Sequence, residues 1–165
     1  MNSNKAILLV EDDENDILLF ERSARNASIQ DALAIVRDGQ EAIEYLSGHE
    51  QFADRARFPL PSLVLLDIKM PRKTGLDVLE WMSDKPHLRG MPVIMFSSSP
   101  RSDDVAQAYR LGASAFVVKP SSFERRNELV RVIKIFWLEF NHAPMAASSL
   151  QGTNLVSVGN EQTVW

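Results

Sequence analysis

Five short apolar runs, at residues 6–10, 32–36, 63–66, 93–96 and 115–118, recur along the chain, and the stretches between them carry helical spacing. Four or five consecutive apolar residues present no polar face to water, so each run fits a strand buried on both sides, the kind found in parallel sheets. Helices are expected at residues 14–26, 39–47, 75–84, 102–111 and 121–140. Strands that alternate with helices require right-handed crossovers, which lay helices over both faces of the sheet. The fold class is therefore α/β, a doubly wound five-stranded parallel sheet. At 165 residues the chain has room for one such domain, large enough to bury its core without staples.

Two regions break the rhythm. Residues 47–62, with Gly48, Pro59 and Pro61, make a connection longer than the usual two to six or so residues, and it is expected to lie on the surface. Residues 141–165 hold one charged residue, Glu161, against 39 in the first 140, which divides the chain into a folded unit, 1–140, and a C-terminal extension, 141–165. Within that extension Leu155 to Val158 and Glu161 to Trp165 flank Gly159-Asn160, a pattern suited to a hairpin.

Composition removes several classes of function. There is no cysteine, which excludes disulfide scaffolds, thiolate metal sites and thiol nucleophiles and favours a reducing compartment, hence a cytoplasmic location. Residues 6–10 are too few for a signal-peptide core, and no run spans a membrane. A net charge of −4 argues against a nucleic-acid-binding surface. His49, His87 and His142 lack metal-ligand spacing, the glycines form no phosphate-cradling loop, and the Asn26-Ala-Ser28 sequon has no relevance in a cytoplasmic chain. Arg125 and Arg126 are expected on a solvated face of the last helix.

Ligands of open parallel sheets bind beyond the carboxyl ends of the strands. The residues there are Glu11, Asp12 and Asp13 after the first strand, Asp67 after the third, Ser97 after the fourth and Lys119 after the fifth. Converging carboxylates repel one another, and a hard divalent cation with oxygen ligands, Mg²⁺ above all, relieves that repulsion. Acids at 11–16 also suit a helix N-terminus, and a lone Asp after a strand is commonly a cap. Neither of these plainer readings has the same sheet edge supply acids, a hydroxyl and an ammonium together. A carboxylate beside Mg²⁺ can attack a phosphoryl group to give an acyl phosphate, with Asp67 as nucleophile, Lys119 as mobile positive charge and Ser97 as hydroxyl donor.

With Glu11-Asp12, the segment Leu65-Leu-Asp67-Ile-Lys-Met-Pro71, Ser97 and Lys119-Pro120 in this order, the chain resembles the receiver domain of bacterial response regulators over about residues 5–140. The resemblance implies a flavodoxin-like receiver fold and a role as phosphoacceptor signalling protein with self-catalysed aspartyl phosphorylation and dephosphorylation, not a conventional enzyme. It implies that Asp67 takes phosphate from a histidine kinase, that Asp12, Asp67 and the Lys69 backbone carbonyl bind Mg²⁺ while Glu11 holds a metal water, and that Lys119 pairs with the phosphoryl group. It further implies a cis Lys119-Pro120 bond and a switch in which Phe116 follows the Ser97 hydroxyl; core packing is the plainer role for Phe116. The 47–62 loop, Phe136-Trp137-Leu138 and Pro144 are similar to the small single-domain regulators paired with bacterial phytochrome kinases. Lys69 and Ser99, two residues beyond the phosphoacceptor and the hydroxyl, flank the expected path of attacking water, and neither is suited to orienting it.

The function expected is a phosphorylation-dependent switch that relays a kinase signal by protein–protein contact. A constitutive scaffold of the same fold is the alternative, which the intact acids, Ser97 and Lys119 disfavour; a metal-dependent phosphatase would want an acid where Lys69 stands. Nine of the twelve residues at 129–140 are apolar, more than one buried stripe needs, so a homodimer through the last helix is expected, with Phe136, Trp137 and Phe140 at the interface. The competing cover for that face is the chain's own tail, with Leu155, Val156, Val158 and Trp165.

Overall fold

The computed structural model describes residues 5–142. Five strands, β1 (Ile7–Val10), β2 (Leu33–Val36), β3 (Leu63–Leu66), β4 (Val93–Ser97) and β5 (Ala115–Val118), form one sheet in the order β2-β1-β3-β4-β5, every neighbouring pair parallel. Ile7 stands opposite Leu33 on one side and Leu63 on the other, which keeps the carboxyl ends of β1 and β3 level. From β1 the chain first moves outward to β2 and then returns to the other side of β1, so the crevice between the ends of β1 and β3 is the topological switch point.

Alternation along the strands divides the core into two layers. Leu8, Val10, Val64 and Leu66 face a cluster completed by α2 (Gly39–Ser47), α3 (Gly75–Ser83) and Ala108 of α4 (Ser102–Arg110). Ile7, Leu9, Leu63 and Leu65 face the opposite cluster, closed by Phe20 and Ala24 of α1 (Glu14–Asn26) and by Val130 and Ile133 of α5 (Phe123–Ile133). Both sheet faces are thus covered, which is why these strands read as unbroken apolar runs. The α1 N-terminus is capped by Asp13, whose carboxylate accepts from Asp16 N, so Asp13 serves the helix and not the cluster at the strand ends. Asp38 caps α2 through Gln40 N and Glu41 N, and Thr74 with Asp77 makes a capping box on α3.

Several expectations are corrected. The last helix is not one α-helix over 121–140: α5 ends at Ile133 and a π-helical segment, Lys134–Phe140, follows, with Asn141 N bonded to Phe136 O. The 47–62 connection is more than a surface loop. Phe52 is buried, Phe58 packs against Tyr45 and Phe52, and the Arg55 guanidinium donates to the carbonyls of Tyr45, Leu46 and Phe58, so the α2 C-terminus and the loop share one cation. The Lys119-Pro120 bond is trans, not cis. The trans isomer is the intrinsic preference before proline, and Lys119 Nζ meets its carboxylate partners with the bond in that form. The expected hairpin at 155–165 and the tail that competes for the last helix lie outside the described residues.

Candidate functional site

The sheet ladder continues one residue past the strands. Glu11 N donates to Val36 O, Asp67 N to Val10 O and Lys119 N to Ser97 O, so the backbones of the expected site residues are pinned side by side. Beyond them Glu11, Asp12 and Asp67 bring one carboxylate oxygen each to within 4.8 Å of the others. Glu11 is 1% exposed and Asp67 6%, whereas Asp12 opens to solvent and leaves the cluster accessible from one side. Asp67 Oδ1 accepts from Ile68 N at 2.7 Å, and Oδ2 from Lys119 Nζ at 3.1 Å.

Lys119 completes the cluster from β5. Its buried ammonium lies 2.5 Å from Glu11 Oε2, 2.9 Å from Asp16 Oδ2 and 3.1 Å from Asp67 Oδ2. Burial works against the charged lysine, but the hydrogen-bonding carboxylates of Glu11 and Asp16 and the charge of Asp67 outweigh it and raise its pKa. Burial dominates at Glu11, whose pKa is pushed up to about 7 by desolvation, with Lys119 opposing and the neighbouring Asp67 charge adding to the rise. Glu11 Oε2 makes its ion pair yet accepts no well-angled hydrogen bond from the described residues. A group of three hard oxygen donors, one of them disfavoured as an anion, fits a divalent cation, whose charge would relieve both the repulsion and the orphaned oxygen.

Of the remaining expected residues, Ser97 adjoins the cluster through its carbonyl, which accepts from Lys119 N. Ser97 is buried at the end of β4, its Oγ 3.4 Å from both the N and O of Ser99. Phe116 is half-buried, packs against the core and donates its backbone N–H to Tyr109 Oη. Lys69 is exposed and borders an open cleft of about 570 Å³ beside Asp12, lined also by Ile68, Met70, Leu76 and Arg101. Phe136, Trp137 and Phe140 lie far along the chain from the cluster, in the π-helical segment; Phe136 and Phe140 are exposed, and Trp137 is half-buried, stacked edge-on to Phe136.

Two further residues adjoin the cluster without being expected there. Asp16, read as an ordinary acid of a helix N-terminus, contacts Lys119, and Arg126, read as solvated beside Arg125, is 4% exposed and donates to Asp16 Oδ1. Arg125 does face solvent. The signal for Arg126 is its position on the stripe 126, 130, 133, whose other members Val130 and Ile133 are buried.

Comparison with known proteins identifies the family of the chain. Residues 7–133 match the response regulator receiver domain. The chain belongs to the response regulator receiver family. Response regulator Rcp1 of Synechocystis sp. (strain ATCC 27184 / PCC 6803 / Kazusa) is 34% identical over 145 residues, covering 88% of this chain and 97% of Rcp1. The crystal structure of the phosphorylated cyanobacterial phytochrome response regulator RcpA superposes with a TM-score of 0.78 at 33% identity, covering 85% of this chain and 98% of RcpA. The Mn²⁺-bound form of Rcp1 gives a TM-score of 0.75 at 33% identity, covering 85% and 99%. This receiver is thus homologous to phytochrome response regulators, and phosphorylation-activated signalling is the role of its family. With the Mn²⁺-bound neighbour, the acidic cluster supports divalent-metal binding. Among the described residues no helix is long and apolar enough to cross a membrane.

Proposed function

We propose that this receiver accepts a phosphoryl group on Asp67 from a histidine kinase of the bacterial phytochrome kind, with Mg²⁺ as the cation, and relays the signal in the cytoplasm by protein–protein contact. The observation that carries the reading is the junction of Asp67 with Glu11, Asp12 and Lys119 at the switch point of the sheet. An Asp67 oxygen attacks phosphorus, the bond from phosphorus to the donor histidine nitrogen breaks, and the electron pair stays on the imidazole. Asp12, Asp67 and the Lys69 carbonyl would hold the cation and Glu11 a water on it; bound there, the cation supplies charge neutralisation for the phosphoryl oxygens. Lys119 donates to a phosphoryl oxygen, and the Ser97 hydroxyl turns toward the same group while Phe116 follows it inward. The cleft beside Asp12 gives the donor a way in. Self-catalysis belongs to the same proposal: the residues that accept the group also set how quickly water removes it.

The exposed apolar face supports a homodimer. Val132, Ile135, Phe136 and Phe140 are 47% to 71% exposed although the sheet-facing stripe is already filled by Val130 and Ile133. A second copy of the same surface covers it by two-fold symmetry.

Incubation with Mg²⁺ and acetyl phosphate, followed by intact-mass measurement, tests the reading. Wild type should gain one phosphoryl group, the gain should disappear with chelator and in Asp67→Asn, and Asp12→Ala should weaken Mg²⁺ binding. A hydroxylamine-labile phosphate on Asp67→Asn equal to that on wild type would make another residue the acceptor.

A further inference from the structure

Lys119 donates to Asp16 Oδ2 and Asp67 Oδ2 and is ion-paired with Glu11 Oε2, so three carboxylates already crowd its ammonium. Building on phosphorylation at Asp67, a phosphoryl oxygen that reaches Lys119 competes with these carboxylates for the ammonium. Glu11 and Asp67 belong to the acidic cluster, whereas Asp16 stands outside it. Asp16 also has a second cation waiting: its Oδ1 accepts from Arg126 Nη2 at 3.0 Å while its Oδ2 accepts from Lys119 at 2.9 Å. Two positive side chains therefore divide one carboxylate.

Arg126 is poised to take more. Its side chain is 5% exposed, and Nη2 serves both Asp16 and Pro120 O, yet Nε and Nη1 are buried without a partner among the described residues. Buried donors of a charged group left unpaired are costly, and guanidinium favours a two-pronged grip on carboxylate over the single bond seen here. The Phe96 ring lies 5.8 Å from both the Lys119 ammonium and the Arg126 guanidinium, a shared surface that keeps the two cations on either side of Asp16.

We propose that Asp16 and Arg126 are positioning residues: they hold Lys119 over Asp67 before phosphorylation, and Asp16 passes from Lys119 to a two-pronged contact with Arg126 when the phosphoryl group claims Lys119. The exchange loads an arginine of α5, the helix that leads into the exposed Phe136 and Phe140, and so connects the phosphorylation site to that surface by a route separate from Ser97 and Phe116.

The test uses the full chain. The Arg126 Nε–H resonance, assigned with Arg126→Lys, is followed by NMR as Mg²⁺ and then beryllofluoride, a stable mimic of the phosphoryl group, are added; it should move on beryllofluoride and not on Mg²⁺ alone. In parallel, phosphorylation by acetyl phosphate is timed for wild type, Asp16→Asn and Arg126→Lys. Asp16→Asn should slow it by about tenfold, as expected when a reacting group loses its alignment, with Mg²⁺ affinity unchanged. Arg126→Lys, which keeps the charge and loses the fork, should phosphorylate faster than Asp16→Asn. An Arg126 resonance indifferent to beryllofluoride, or an Asp16→Asn rate equal to wild type, would overturn the proposal while leaving phosphorylation of Asp67 standing. Absence of any mass gain on wild type would overturn both.

Discussion

Gly75→Ala should disable the site without touching any of its side chains. Gly75 opens α3 and donates its N–H to Ile68 O at 2.9 Å, and this close approach brings the helix start against the backbone of Asp67. A Cβ on Gly75 would lie 2.0 Å from Asp67 O, 2.9 Å from Asp67 C and 3.1 Å from Ile68 Cα. Carbon and carbonyl oxygen ordinarily approach no closer than about 3.3 Å, so roughly 1.3 Å of separation has to be found. Neither side yields easily. Asp67 N is tied to Val10 O, and α3 is anchored by Val78, Leu79 and Met82 in the core. Forcing the helix outward costs about 1 to 3 kcal/mol, typical of overpacking. Any part of the shift taken up by Asp67 moves it relative to Glu11, Asp12 and Lys119, and a misplacement near 1 Å costs about 100-fold in rate.

Urea unfolding and the rate of phosphorylation by acetyl phosphate, measured on the same preparations, read the two effects. Gly112→Ala is the matched control: φ is +97° there, so a side chain is strained, but among the described residues nothing lies within 4 Å of the new Cβ. It should lose about 1 to 3 kcal/mol of stability from backbone strain and keep its phosphorylation rate. A Gly75→Ala protein that folds and phosphorylates within about threefold of wild type would refute the steric reasoning, because so small a change means that Asp67 has not moved.

Asp38 gives a pH-dependent prediction: burial favours its neutral form, but Arg72 and the backbone N–H groups of Glu41 and Gln40 outweigh burial and hold its pKa below 3.8. A depressed carboxyl pKa contributes stability above the unfolded value and loses it as pH falls through the folded one, so Asp38→Asn should cost about 0.5 to 1 kcal/mol at pH 7 in denaturant titrations and nothing at low acid pH; an equal cost at both would disprove the charge pairing. Lys69 is exposed and Ser99 half-buried, neither able to orient water as an amide does, so wild type should lose its phosphate slowly and Lys69→Asn faster; identical decay would remove Lys69 from the account. Phe136→Ser with Phe140→Ser should halve the mass seen by light scattering at tens of micromolar or so, while deletion of 145–165 should leave the dimer intact; a monomeric wild type would end the dimer proposal.

The parallel sheet was legible because burial on both faces removes every polar residue from a strand. Residues 63–66 and 115–118 were placed to the residue, and the site followed from them, since the topology alone carries Glu11, Asp67, Ser97 and Lys119 to one edge. Local geometry was less legible. Nothing in the composition of 129–140 separates α from π winding, which differ by one residue in the reach of a hydrogen bond, so the helix was expected to run on past Ile133. The packing of the 47–62 loop depends on Arg55 finding three carbonyls, and carbonyls are supplied by every sequence alike.

Arg126 shows where residue-type reasoning stops. Arginine is seldom fully buried unless paired, and its type beside Arg125 points to solvent. Its partner, Asp16, sits 110 residues away and has a sufficient role in the first turn of its own helix. Each residue had an adequate local role, so nothing called for a second one. What joins them is the packing of α1 against α5 across the end of β4, where Phe96 excludes water from both cations. A charged residue on an otherwise apolar stripe asks for a partner that must come from another element. Here that partner, Asp16, also holds Lys119, which reaches Asp67, so the buried arginine of the last helix points back to the cluster at the strand ends.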